Sequence, residues 1–174
     1  MIEIKHKFSE EVLRTVDADT LAGAKLVGAD LAVANLGGVD LSGADLDGAN
    51  MAVAELGGTN LSSANLNGAN LIGANLEGAN LAYAFLKDAN LTGANLADVN
   101  LQGANLQAAN CTGANLTGAD LRNANLMGTI LARADLASAE LVGALYDQRT
   151  KFPELFFEPQ ASGAILVGAE PPVA

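Results

Sequence analysis

Aromatic side chains are nearly missing from this sequence: it has no tryptophan, five phenylalanines and two tyrosines in 174 residues. That excludes an ordinary core wedged by large rings, and since half of the residues are apolar, packing falls to Leu and Ala. Histidine occurs once, at His6, so a Ser-His-Asp triad or a His-containing metal site has no raw material; near a terminus it reads as a solvated residue. The single cysteine, Cys111, excludes an intramolecular disulfide. Nine scattered Lys/Arg against twenty Asp/Glu leave a net charge of −11. A phosphate backbone needs clustered bases, so nucleic acid is not an expected partner. No apolar run reaches the ~18 residues of a membrane span. Met1-Ile2-Glu3-Ile4-Lys5-His6-Lys7 is followed by no apolar signal region. The expected compartment is the cytoplasm, with no membrane contact. The Gly-x-x-x-x-Gly-Lys-Ser/Thr signature of a phosphate loop is absent, and no cofactor is implied.

What is present is a beat of five, Ala-Asn/Asp-Leu-x-Gly, seen in Gly68-Ala69-Asn70-Leu71-Ile72-Gly73-Ala74-Asn75-Leu76 and running without insertion from Leu21 to Leu141. On an α-helix each step of five rotates the leucine by about 140°, so the leucines share no face. On a continuous strand five is odd, and successive leucines point to opposite sides. A chain that buries every fifth leucine must therefore bend once per repeat in one sense and coil around its own leucines, which is a solenoid.

Each column of the repeat then has a task. The Leu column is interrupted only by Met51 and Cys111, both compatible with an apolar interior, and a buried Cys111 thiol is expected to be inert. The Ala column two places earlier gives way only to Val39, Thr59, Val99 and Thr129 between Ala24 and Ala139, which marks a second, cramped inward position. Gly holds 15 of the 25 places two after the central residue, where a recurrent bend calls for positive φ or close backbone approach. Asn or Asp holds 19 of the 25 places just before it, suited to turn bonds or to amide ladders between coils.

Ala-(Asp/Asn)-Leu-x-x in long tandem array resembles the pentapeptide-repeat family, over about 125 of the 174 residues. The resemblance implies an all-β solenoid, a right-handed quadrilateral β-helix with four repeats per square coil. Twenty-five repeats give about six coils, and at roughly 4.8 Å per coil the rod is about 30 Å long. The run Tyr146-Asp147-Gln148-Arg149-Thr150-Lys151-Phe152-Pro153 is similar to C-terminal tails of some cyanobacterial members.

Three segments are expected. Residues 1–20 form an N-terminal cap: Ser9-Glu10-Glu11-Val12-Leu13-Arg14-Thr15-Val16 reads as a short helix with Ser9 as N-cap, and Phe8, Val12, Leu13 and Val16 suit a lid over the open core. The other use of such a helix is to bind a partner. Residues 21–143 form the β-helix. Residues 144–174 form a C-terminal cap in which Tyr146, Phe152, Phe156 and Phe157 close the far end, Ala164-Ile165-Leu166-Val167-Gly168 re-enters the beat, and Glu170 to Ala174 are loose.

Function then falls to the outside of the rod. An enzyme is not expected: acid pairs such as Asp45 with Asp47 sit on a flat side without a cleft. Taking every twentieth residue sorts the surface into four faces. The face of Leu31, Met51, Leu71, Leu91, Cys111 and Leu131 is the least charged, showing Val33, Val53, Ile72 and Ile130 beside Asn50, Asn70, Asn90 and Asn110. On and beside the neighbouring face, Phe85 takes an Asn/Asp place, Tyr83 a Gly corner, and Met127 points outward. Together Val33, Val53, Ile72, Tyr83, Phe85, Met127 and Ile130 make a candidate protein-contact patch; scattered apolar surface residues are the plainer reading. The expectation is a non-enzymatic scaffold for a protein partner, monomeric or weakly dimeric, with no catalytic, cofactor or metal residues.

The resemblance implies one alternative, since some members mimic duplex DNA in shape and charge and bind DNA gyrase. The acidic side here would be Glu55, Glu77, Asp98 and Asp135, but acids are dispersed over three faces and most ladder places are neutral Asn.

Overall fold

The structure is a computed structural model that describes residues 1–154 and 159–168. Its body is a β-helix whose pitch is twenty residues: parallel backbone pairing links Asp30 to Asn50, Asn50 to Asn70, Asn70 to Asn90 and Asn90 to Asn110, and the three other faces repeat the pattern. Four five-residue repeats therefore close each coil.

One repeat explains the rest. The Asn70 N–H donates to the Ala49 carbonyl of the preceding coil (2.9 Å), and the Leu71 and Gly73 N–H groups donate to the Asn90 and Thr92 carbonyls of the following coil (2.7 and 3.0 Å). The Ala74 N–H turns back to the Leu71 carbonyl (3.0 Å). The remaining donor, the Ile72 N–H, is met by Asn70 Oδ1 (3.3 Å). All five donors of the repeat are thus paired, one of them by a side chain, which is why Asn or Asp recurs before the central leucine. The same amides also ladder between coils, as in Asn70 Nδ2 to Asn50 Oδ1 (3.0 Å) and Asn50 Nδ2 to Asp30 Oδ1 (2.9 Å).

Every one of the twenty-five corner places has positive φ, including ten that are not glycine. Inside, the Leu and Ala columns form one continuous buried stack, with Met51 and Cys111 in the Leu column. Thr59 and Thr129 are buried in the Ala column because each hydroxyl donates to a carbonyl of the coil before it, Leu36 and Leu106 (both 2.7 Å).

At the N-terminal end the expected helix is absent. Residues Ile2–His6 (β1) and Val12–Val16 (β2) form an antiparallel hairpin, and β1 also pairs antiparallel with Ala34–Asn35 (β3) of the helix body, through Lys5 with Asn35 and His6 with Ala34. An eight-residue helix is marginal alone, whereas the first coil presents unpaired strand groups that only another strand can satisfy; β-branched Val12, Thr15 and Val16 suit that use. Ser9 is not an N-cap, and its hydroxyl lies 3.1 Å from His6 Nδ1, which also accepts the Phe8 N–H. His6 is correspondingly half-buried in β1 and is not a freely solvated residue. The lid is also made differently: Ile4 is buried, Ile2, Leu13 and Val16 pack against the core, and Phe8 and Val12 stay exposed.

At the other end Leu145–Tyr146 (β4) pairs in parallel with Ile165–Leu166 (β5), twenty residues on, so the tail re-enters the coil frame as expected. Between them the pairing of Ile130 with Lys151 is one residue longer than the pitch. The extra residue is absorbed in a turn that Asp147 organises, after which Phe152 meets Tyr146 edge to face at 5.4 Å. A 3-10 turn, Pro159–Ser162, precedes β5. Phe156, Phe157 and the segment from Glu170 to Ala174 lie outside the described residues.

Candidate protein-contact faces

The corner places carry outward side chains at a backbone conformation that disfavours them. Val33 and Val53 stack on successive coils at φ 54° and 57°, unusual for β-branched residues. Val53 is exposed and Val33 half-buried. The hairpin tip adjoins this corner: the Lys7 N–H donates to the Val33 carbonyl (2.9 Å) and Lys7 Nζ to the Val53 carbonyl (2.5 Å), with the ammonium 5.0 Å from the centre of the Phe8 ring. Phe8, 78% exposed, is next in sequence to the Lys7 that binds this corner. It read as part of the lid because β2 read as helix.

Ile72 is exposed on the same face, one coil beyond Val53. On that face Asn70 and Asn50 form the side-chain ladder, while Asn90 and Asn110 accept bonds from the Thr92 and Thr112 hydroxyls (2.7 and 2.6 Å). Ile130 replaces an Asn of this column, is half-buried, and pairs by backbone with Asn110 and Lys151.

Around the next corner, Phe85 occupies a ladder place between Asn65 and Asn105 and is 49% exposed. A phenyl ring offers no acceptor for the Lys87 N–H two residues on; Asn67 Oδ1 of the preceding coil supplies it instead (2.9 Å). Asn67 is a supporting residue that the repeat pattern alone does not reveal. Tyr83, 60% exposed, stands at a corner with φ 60° and lays its ring over the next corner, Gly103. A Cβ on Gly103 would lie 2.7 Å from two ring carbons. Met127 is half-buried on the face of Phe85 and is separated from Ile130 by the corner at Gly128. The candidate patch therefore resolves into two groups on adjoining faces: Val33, Val53, Ile72 and Ile130 on one, Tyr83, Phe85 and Met127 on or beside the other.

The acidic side is wired into the coil. Glu55 takes a ladder place and serves it like an Asn, accepting from Asn75 Nδ2 (2.6 Å) and the Gly57 N–H (3.3 Å). Glu77 accepts from Asn95 Nδ2 (3.2 Å), and Asp135 accepts the Ala137 N–H (3.0 Å). Asp98 stands at a corner against Gly118. Elsewhere the Arg122 guanidinium binds Asp120 in bidentate fashion (2.8 and 2.6 Å) and holds its carboxyl below the usual range. At Asp147 the Arg149 Nε and Nη2 both donate to Oδ2 (2.9 and 2.7 Å) and the Gly128 and Arg149 N–H groups to Oδ1, which together bring that carboxyl down to about 2. Burial pushes the Cys111 thiol up to about 12, so it stays a protonated apolar filler. Among the described residues no three His, Cys, Asp or Glu side chains are grouped to hold a metal ion, and no helix is long and apolar enough to cross a membrane.

The repeat and the geometry it produces match the family described as pentapeptide repeats, in eight copies, over residues 20–52, 54–93, 69–107, 94–132 and 109–145. The chain belongs to the pentapeptide-repeat family. Among solved structures it is similar to a pentapeptide-repeat protein, Rfr23, from the cyanobacterium Cyanothece 51142, with 43% identity over 53% of this chain and 63% of that one and a TM-score of 0.53. The chain thus spans less than two thirds of that relative. It is also similar to a pentapeptide-repeat protein, alr5209, of Nostoc Pcc 7120, with 37% identity over 67% of this chain and 84% of that one and a TM-score of 0.43. QnrB1, a plasmid-mediated fluoroquinolone resistance protein, is 19% identical over 88% of both chains with a TM-score of 0.50, a likeness of fold alone. Comparison with curated proteins found no match. Pentapeptide-repeat proteins are in general structural or interaction proteins.

Proposed function

We propose that this pentapeptide-repeat protein is a non-enzymatic cytoplasmic scaffold, its coil right-handed, that holds a protein partner on the two adjoining faces bearing Val53 and Ile72 and, around the corner, Tyr83 and Phe85. One observation carries the reading: apolar residues stand exposed at places where the repeat's own chemistry prefers something else. Phe85 forfeits an amide ladder and a turn bond that Asn67 must replace, and Tyr83 holds a left-handed corner. Local rules broken without gain to the fold point to a use outside it.

Size supports two faces over one. Each side spans one five-residue repeat, of order 10 Å across, so a rod about 30 Å long offers roughly 300 Å² per face. A stable interface takes ~800 Å² per partner and a transient one up to about 600 Å², so one face is too small, and the two faces together suit a transient partner that wraps around a corner.

The test is affinity capture on the immobilised chain, comparing wild type with the double variant Phe85→Asp, Ile72→Asp at low and moderate salt. A partner held by wild type at both salts and lost by the variant is the expected result. Equal capture by both chains would overturn the reading.

The second reading, a DNA-mimicking modulator of DNA gyrase, draws on the fold shared with a fluoroquinolone resistance protein. It requires the acidic side to dominate, so binding to purified gyrase would fall with added salt and with Glu55→Gln, Glu77→Gln, Asp98→Asn and Asp135→Asn together. The internal bonds made by Glu55, Glu77 and Asp135 weigh against it.

A further inference from the structure

The repeat from Ala69 to Gly73 pairs all five of its N–H groups but only four of its five carbonyls. The Ala69 carbonyl accepts the Asn90 N–H (2.9 Å), Asn70 the Met51 N–H (2.7 Å), Leu71 the Ala74 N–H (3.0 Å) and Ile72 the Val53 N–H (2.9 Å). The corner carbonyl, that of Gly73, accepts none among the described residues, and the same holds at Gly93 and Gly113 one and two coils on. Stacked coils therefore carry a column of spare acceptors along this corner, about 4.8 Å apart. Two earlier members of the column are taken. The Lys7 N–H binds the Val33 carbonyl (2.9 Å) and the Lys7 ammonium binds the Val53 carbonyl (2.5 Å), so a single lysine bridges two coils.

We propose that the rest of this corner, Gly73, Gly93 and Gly113, docks a lysine-bearing extended segment of a protein partner, held as the chain holds its own Lys7. The proposal rests on the scaffold reading and uses the margin of the Val53 and Ile72 face that lies away from Phe85. Three observations set the partner's chemistry. A carbonyl open to water is satisfied by it, but a partner that covers the carbonyl without supplying a donor leaves a polar group unpaired, so each covered coil asks for one donor. The corner separates the apolar face from the side bearing Glu55, Glu77 and Asp135, in a chain of net charge −11, which favours a cationic donor over a neutral one. Approach is also open: a Cβ on Gly93 or Gly113 would meet nothing within 4 Å, and one on Gly73 only Val53 Cγ2 at 3.9 Å. A lysine suits all three, because its stem can lie along Val53 and Ile72 while its ammonium reaches the carbonyl.

Carbon-13 spectra of the labelled full chain, titrated with tetralysine at low salt, test it. The carbonyl signals of Gly73, Gly93 and Gly113 are expected to shift more than those of Gly48 and Gly68, on the opposite margin of the same face where Lys87 stands beside the corner. Tetralysine acetylated at every Nζ is expected to leave them unmoved, and added salt to shrink the shifts. In Lys7→Ala the Val53 carbonyl is expected to join the responding set. Silence at Gly73, Gly93 and Gly113 would overturn the proposal, as would shifts spread evenly over the four corners or confined to the carboxylates of Glu55, Glu77 and Asp135. A response that survives Nζ acetylation, or a Val53 carbonyl that stays silent once Lys7 is gone, would do the same. The scaffold reading is tested separately: a partner lost with Phe85→Asp, Ile72→Asp would uphold it even if these carbonyls did not respond.

Discussion

At Gly103 two requirements meet in one residue. Its φ of 65° favours glycine, and the Tyr83 ring occupies the space a Cβ would take. Gly93, at φ 64°, meets the first requirement only, with no atom within 4 Å of its would-be Cβ. Gly93→Ala is therefore expected to cost about 1–2 kcal/mol, the left-handed backbone term. Gly103→Ala should cost more, and Tyr83→Ala should recover the excess. Denaturant titration of wild type, Gly103→Ala, Tyr83→Ala and their double variant as a cycle, with Gly93→Ala beside them, measures this; equal costs at the two glycines would show that the tyrosine does not rest there. Asp147 supplies a second prediction at this scale. Its carboxyl is depressed to about 2, mainly by Arg149, against about 3.9 in an unfolded chain. The stabilisation is present above the unfolded value and is lost as pH falls through the folded one. Between about pH 4 and pH 2 the C-terminal turn should loosen in wild type, seen as faster amide exchange at Gly128 and Thr150, whose N–H groups Asp147 accepts. Asp147→Asn should remove that step from the pH profile.

At the scale of elements, the contrast lies between the coil and its N-terminal cap. Ile4, 1% exposed, is the hairpin's anchor, and Ile4→Ala should cost on the order of 2–4 kcal/mol, with amide exchange rising first in residues 2–16. An Ile4→Ala chain as stable as wild type would mean that the hairpin is not seated on the core. The coil was legible from the beat of five because each column has one dominant duty. Leucine fills the axis, Asn answers an N–H two residues on, and the corner takes positive φ. The cap was not legible, because Ser9 to Val16 satisfies a local helix pattern equally well. What decides it is the edge that Ala34–Asn35 offers to β1, a tertiary demand about twenty residues beyond the Ser9–Val16 segment. The sides on which the candidate contact residues stand were legible, but their neighbours were not. Counting by twenty placed Phe85 and Ile72 on their faces, whereas the compensating Asn67 and the seating of Lys7 on the Val33–Val53 corner depend on coil stacking and on the hairpin.

For the whole molecule, the inner columns and the Asn/Asp ladder fold the chain, and the proposed scaffold leaves the outer apolar residues for recognition. The outer apolar residues should then contribute little to stability, and several should oppose it. Replacing Phe85 by Asn restores a ladder place, Tyr83→Asn relaxes a left-handed corner that Asn tolerates, and Val53→Asn does the same for a β-branched residue. Ile72→Thr keeps a side chain the column already uses at Thr92 and Thr112. The most direct measurement is the thermal melt of the chain carrying these four substitutions, beside wild type and Leu71→Ala. The account predicts that the fourfold variant melts at or above the wild-type temperature while Leu71→Ala, emptying a fully buried site, melts well below it. A fourfold variant that melts as low as Leu71→Ala would contradict the account, because those four residues would then be holding the coil together and would not stand free for a partner.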